Sequence, residues 1–108
     1  MSYPIRYVVR ATLHDPIHLE EYLAWLTDGG HVTEVLSKGK ASSGEVVVLD
    51  VGDGAVMVES SYIFPSRSVF DSYMAGAALE LRKDGVSRFV DTGKCVFTRT
   101  IGEIRFSA

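Results

Sequence analysis

His31 follows the glycine pair Gly29-Gly30 and opens a short helical pattern, which places an imidazole at a helix N-terminus. There the helix dipole favours the neutral ring, and a neutral imidazole accepts protons near neutral pH. The plainer reading of His31 is a helix cap, or a ring packed against Trp25. Arg10 and Glu59 lie on two strand patterns that the chain order allows to be neighbours. Facing each other in water, they make a cross-strand ion pair worth well under about 1 kcal/mol. Lining an enclosed cavity with Ser61 and Tyr62, Arg10 would hold a carboxylate or phenolate and Glu59 would move a proton. Strand register decides between these readings, and alternation alone does not fix it. His18, Tyr22 and Trp25 recur at near-helical spacing, as a packing stripe or as the wall of a ligand site.

Other chemistries find less support. His14 and His18 are four apart, but Asp15-Pro16 intervenes, so they do not share a regular helical face as metal ligands would. No metal site and no cofactor is expected. The single cysteine, Cys95, excludes an internal disulfide and fits a reducing compartment, with cytoplasm the default. Early in a strand, it reads as a small buried hydrophobe. Arg82 and Arg88 straddle a helix end and read as partners of its dipole and last carbonyls. Ser42-Ser43-Gly44 and Ser60-Ser61 match no nucleophile elbow, and no phosphate loop or dinucleotide fingerprint occurs. A net charge of −3 offers no field for nucleic acid. No apolar run suggests a membrane span or a signal peptide.

The elements that must position these residues form two strand–helix–strand units. Tyr3 to Thr12 alternates, with Ile5, Tyr7, Val9 and Ala11 on one face and Arg6, Val8, Arg10 and Thr12 on the other. Asp15 as N-cap and Pro16 at the first helical position announce a helix with the stripe Leu19, Tyr22, Leu23 and Leu26. A shorter helical piece from about His31 to Ser37 follows, with Gly39 as its stop. Glu45 to Val51 and Val56 to Phe64 flank the hairpin turn Gly52-Asp53-Gly54. Ser66 caps the next helix, which Gly76 weakens or kinks and Gly85 stops, and Val86 to Phe89 seal the core. Cys95 to Ile104 is the last strand.

The order β-α-β-β-α-β predicts one α+β domain over residues 1–108. It is a ferredoxin-like four-stranded antiparallel sheet with the first and third strands central. Two helices cover one face of such a sheet. The other carries valines among Arg6 and Arg10, a large patch for a monomer, so a sheet-on-sheet homodimer enclosing a cavity is expected.

Tyr22-Leu-Ala-Trp25-Leu, His31-Val-Thr-Glu-Val-Leu36 with Gly39, and later Tyr73, Leu81-Arg82, Gly85, Arg88-Phe89 and Arg99-Thr-Ile101 are spread over nearly the whole chain. Together they resemble a bacterial family of unknown function within the dimeric α/β-barrel superfamily. The resemblance implies a dimeric α/β barrel with a pocket between sheet and helices. It also implies a place among cofactor-free monooxygenases, isomerases, polyketide cyclases, haem-dependent enzymes and proteins of no known activity. Two functions are therefore carried forward. In the first, a small organic molecule is bound or transformed by His31 and Glu59 as catalytic residues, with Arg10, Tyr22, Trp25, Ser61 and Tyr62 around the ligand. In the second, a non-catalytic structural or regulatory homodimer uses the same residues as core.

Overall fold

The computed structural model describes residues 2–52 and 54–108. Strand β1 (Ile5–Leu13) leads through a 3-10 turn, Pro16–His18, into α1 (Leu19–Leu26) and α2 (His31–Gly39). Strands β2 (Ser43–Asp50) and β3 (Val56–Phe64) form a hairpin, followed by α3 (Arg67–Ala75) and α4 (Ala77–Gly85). A π-helical turn, Val86–Val90, then leads to β4 (Cys95–Glu103). The sheet order is β2-β3-β1-β4 with every neighbouring pair antiparallel, which puts β1 and β3 at the centre as the element order and right-handed crossovers predict.

Local chemistry sets the boundaries. Ile17 N–H donates to Asp15 Oδ1 at 3.0 Å, and Val69 N–H donates to Ser66 Oγ at 3.2 Å, so both expected caps form. In the hairpin turn, Gly52 and Gly54 take positive φ, and Asp53 lies outside the described residues. Gly76, at φ −124 and ψ −104, breaks the second helical stretch into α3 and α4.

Two glycines expected as helix stops serve another purpose. Gly39 is the last helical residue of α2, and the chain turns instead at Lys40, whose φ is 62. A Cβ on Gly39 would lie 2.6 Å from Cδ1 of the Tyr73 ring, so glycine is what lets α2 approach α3. Gly85 likewise stays helical, and the chain continues into the π turn without stopping. A Cβ there would lie 3.0 Å from Cη2 of Trp25. Close approach and a helix stop both call for glycine, and only the packing distinguishes them.

Gly39→Ala tests this directly. Alanine improves helix propensity by about 0.5–1 kcal/mol, whereas overpacking a filled site costs about 1–3 kcal/mol. Tyr73 has little room to yield, because its ring stacks on Phe64 at a centroid distance of 5.3 Å and meets Tyr7 at 6.5 Å. Urea unfolding is expected to show a net loss of about 1–2 kcal/mol, and an unchanged midpoint would remove the close-approach explanation.

The core lies between the sheet and the helices. Ile5, Tyr7, Tyr62, Phe64, Phe70 and Ala78 are buried at one end, and Ala11, Tyr22, Leu26, Val58, Phe89 and Cys95 at the other. Registry fixes the faces, since Arg10 pairs with Glu59, Val8 with Ser61, and Tyr7 with Tyr62. Arg6, Val8, Arg10, Glu59 and Ser61 therefore point away from the helices, while Tyr7, Val9, Ser60 and Tyr62 point toward them. A β-α-β-β-α-β chain with this strand order and one helix-covered face is a ferredoxin-like fold.

Candidate functional site

A cleft between the covered face and the helices encloses about 400 Å³ of non-atom space, mouth included, and narrows to a cavity of about 30 Å³. The narrow part has room for about two water molecules, so an organic ligand enters only if side chains swing aside. Helix α1 contributes Tyr22 and Trp25, α2 contributes His31, and α4 contributes Leu81, Arg82 and Gly85. From below come Tyr7 and Val9 of β1, Ser60 and Tyr62 of β3, and Phe97 and Arg99 of β4.

His31 stacks on Trp25 with ring centroids 4.0 Å apart and planes 24° from parallel. Burial holds its pKa down to about 4, against the weaker opposing pull of Asp84 and Glu34. The imidazole is thus neutral at physiological pH, as its helix position suggests, but exclusion of water is the larger cause. Trp25 is fixed from outside by its indole N–H, which donates to Asp84 Oδ2 at 3.1 Å. Arg88 Nε–H donates to Asp84 Oδ1 at 2.8 Å and, with Trp25, holds that carboxyl below its usual range.

Burial keeps the Tyr22, Tyr62 and Tyr73 phenols uncharged. Burial raises the Tyr62 phenol to about 12, with Ser60 opposing, and pushes Tyr22 and Tyr73 further up. The Tyr7 hydroxyl accepts from Arg99 Nε–H at 3.1 Å. By contrast, the buried Tyr62 hydroxyl and the buried Arg82 Nε find no hydrogen-bond partner among the described residues. Arg82 Nη2 reaches only the Met74 sulfur, at 3.5 Å. Among the described residues, no aspartate or glutamate lines the cavity.

Of the residues singled out by sequence, His31, Tyr22, Trp25 and Tyr62 meet in this cavity. Arg10, Glu59 and Ser61 do not; they lie on the opposite face of the sheet. Arg10 Nη2 pairs with Glu59 Oε2 at 2.6 Å, in a groove shared with Val8, Thr98 and Thr100. Ser61 lines a separate depression beside Arg6 and Glu45. The reason is the two-residue period of a strand: Ser61 and Tyr62 are consecutive and must face opposite ways. Sequence reasoning assigned Tyr7, Ser60, Tyr73, Arg82 and Arg99 to no site, and read Arg82 as a partner of its helix end. Arg99 carried a signal, since it alternates with Phe97 and Cys95 on a face otherwise apolar. Arg82 carried none, because a helix-end arginine is ordinarily a surface residue; Arg88 fits that reading and Arg82 does not.

No protein-family model matches the chain, and no curated protein sequence matches it either. Solved structures do. A dimeric ferredoxin-like protein from an uncultured marine organism aligns with a TM-score of 0.80 at 11% identity, covering 98% of this chain and 99% of that one. A putative antibiotic biosynthesis monooxygenase from Bacillus cereus aligns at 0.68 and 12% identity, covering 98% and 97%. SnoaB, a cofactor-independent oxygenase from Streptomyces nogalater, aligns at 0.54 and 13% identity, again covering 98% and 97%. At such identities the likeness concerns the backbone, and it establishes that the chain has the ferredoxin-like fold over essentially its whole length.

Proposed function

We propose that the chain is a homodimer that binds and transforms a small organic molecule in the cavity between sheet and helices. The chemistry is cofactor-free, of the isomerase, cyclase or monooxygenase type, and the step this cavity's own residues supply is removal of a proton from carbon. In the monooxygenase case dioxygen would be the oxidant and the resulting carbanion the reductant. The observation that carries this reading is a half-buried neutral imidazole, His31, sharing one cavity with the buried Tyr62 hydroxyl, which meets no hydrogen-bond partner in good geometry among the described residues. Similarity to an oxygenase that works without a cofactor agrees with it.

His31 is the base. For an enolisable substrate, it takes the proton from the carbon beside a carbonyl. The C–H electron pair becomes the new C=C bond, and the carbonyl π pair moves to oxygen. Tyr62 O–H donates to that developing enolate oxygen, and its raised pKa keeps it a donor rather than a phenolate. Where that carbon is flanked by a β,γ double bond the enolate is a dienolate. Return of the proton from the imidazolium to its γ carbon, with the oxygen pair re-forming the carbonyl and the double bond moving into conjugation, completes an isomerisation with His31 neutral again. Glu59 and Arg10, across the sheet, take no part in this step and belong to the open face.

That open face supports the homodimer. Val47 is 41% exposed and Val96 45%, on a face that also bears the Arg10–Glu59 pair. Similarity to a dimeric ferredoxin-like protein points the same way. Light scattering is expected to give twice the 11.8 kDa chain mass, and the double variant Val47→Asp, Val96→Asp to give the single mass. A wild-type mass near that of one chain would remove the dimer.

The chemistry is tested by deuterium uptake at the acidic carbon of a panel of aryl ketones and unsaturated lactones in heavy water, followed by NMR. Accelerated exchange of at least one compound is expected. Compounds that bind in the cavity yet exchange at the solvent rate would leave the non-catalytic dimer as the better account.

A further inference from the structure

We infer that the ligand of this cavity is a planar unsaturated carboxylate, anchored through its carboxylate by Arg82 and Arg99. The inference rests on the pocket reading above and adds the charge of the molecule that fills it. Among the described residues, Arg82 presents a buried Nε–H without a protein partner, and its only side-chain hydrogen bond is to the Met74 sulfur, a weak acceptor. A buried charged donor left unmatched is costly, and such groups are ordinarily paired. Arg99 donates to the Tyr7 hydroxyl and lies 5.7 Å from the centre of the Phe97 ring. Neither arginine forms an ion pair with a carboxylate among the described residues, whereas Arg10, Arg67, Arg88 and Arg105 each do.

Two guanidinium groups without a carboxylate partner, on one cavity of a chain whose net charge is −3, make a local positive field that the protein does not neutralise itself. The guanidinium fork matches a carboxylate in two parallel hydrogen bonds. The flat framework follows from the walls: Trp25, Tyr22 and Phe97 flank the cavity, and a planar body stacks on such rings once the side chains have swung aside. His31 then faces the ring or chain carbon of a molecule held by its carboxylate at the arginines.

Trp25 is the only tryptophan, so its indole N–H gives a single resonance that reports on the cavity. Cinnamate and its neutral amide, cinnamamide, are titrated separately into the 15N-labelled full chain. Cinnamate is expected to shift the Trp25 resonance and to bind at least about tenfold more tightly than cinnamamide. Arg82→Met and Arg99→Met should each weaken cinnamate by about 10–100-fold and change cinnamamide by less than about twofold. Arg82→Lys keeps the charge without the fork and should fall between, and far-UV circular dichroism verifies that each variant is folded. Equal affinity for acid and amide, indifferent to the arginines, would overturn the carboxylate assignment while leaving the pocket standing. Failure of both probes to move Trp25 at millimolar concentration would overturn the pocket reading and this inference with it.

Discussion

Replacing His31 by phenylalanine lowers deuterium exchange of a turned-over ketone or lactone by about a hundredfold to ten-thousandfold, the usual share of a positioned acid–base group. Phenylalanine keeps a flat ring against Trp25, where the imidazole stacks at 4.0 Å, so the packing role survives while the lone pair is lost. Binding of the same compound, read from the Trp25 resonance, should change little. The wild-type pH profile follows from the buried ring: only the neutral form accepts a proton, and the ring stays neutral down to about pH 4. The acid limb of kcat/KM therefore lies near pH 4 rather than near the ordinary histidine value of 6.5. Full activity of the phenylalanine variant would reduce His31 to a core residue.

Folding stability should carry the same signature. His31 titrates at 6.5 when unfolded and at about 4 when buried, so between those values the unfolded chain binds the extra proton. Stability is then complete above about pH 6.5 and is lost as pH falls toward 4. The shift corresponds to about 3 kcal/mol in full, of which about 2 kcal/mol is lost between about pH 7 and about pH 5. The carboxyls of Asp84 and Glu21 are shifted the other way, below ordinary values of 3.8 and 4.5. What they contribute is present above those values and disappears at more acid pH, outside most of the His31 window. Urea unfolding of wild type and His31→Phe at the two pH values isolates the effect. The wild type should lose about 2 kcal/mol more than the variant, and parallel losses would mean that His31 is not buried from water.

The central and edge positions of the strands followed from element order and right-handed crossovers. The strands and the two caps were legible in the chain because each depends on local alternation or on one side chain meeting one backbone N–H. Asp15 and Ser66 are such cases. Part of the cavity lining was legible for the same reason: Tyr22 and Trp25 follow a helical stripe, and His31 begins a helix. The rest depends on distances between elements. Registry put Arg10 and Glu59 opposite each other as alternation allowed, but on the face away from His31. Gly39 and Gly85 read as stops because a ring from another helix, Tyr73 or Trp25, is what excludes their Cβ, and that contact spans long stretches of chain. Arg82 turns inward for want of a surface partner, while Arg88, six residues on, finds Asp84 one turn away. A single residue type thus serves two roles in one helical region, and only the fold separates them.

The cavity is the centre of the account, and a crystallographic fragment screen tests it most directly. Crystals soaked with small aromatic and unsaturated acids, ketones and lactones should show at least one fragment between Trp25 and Tyr62, within hydrogen-bonding reach of His31 or Arg82, with the cavity enlarged beyond its present 30 Å³. Fragments seated only on the open sheet face or the surface, with the Trp25–His31 stack unmoved and the cavity still closed at saturating concentrations, would contradict it.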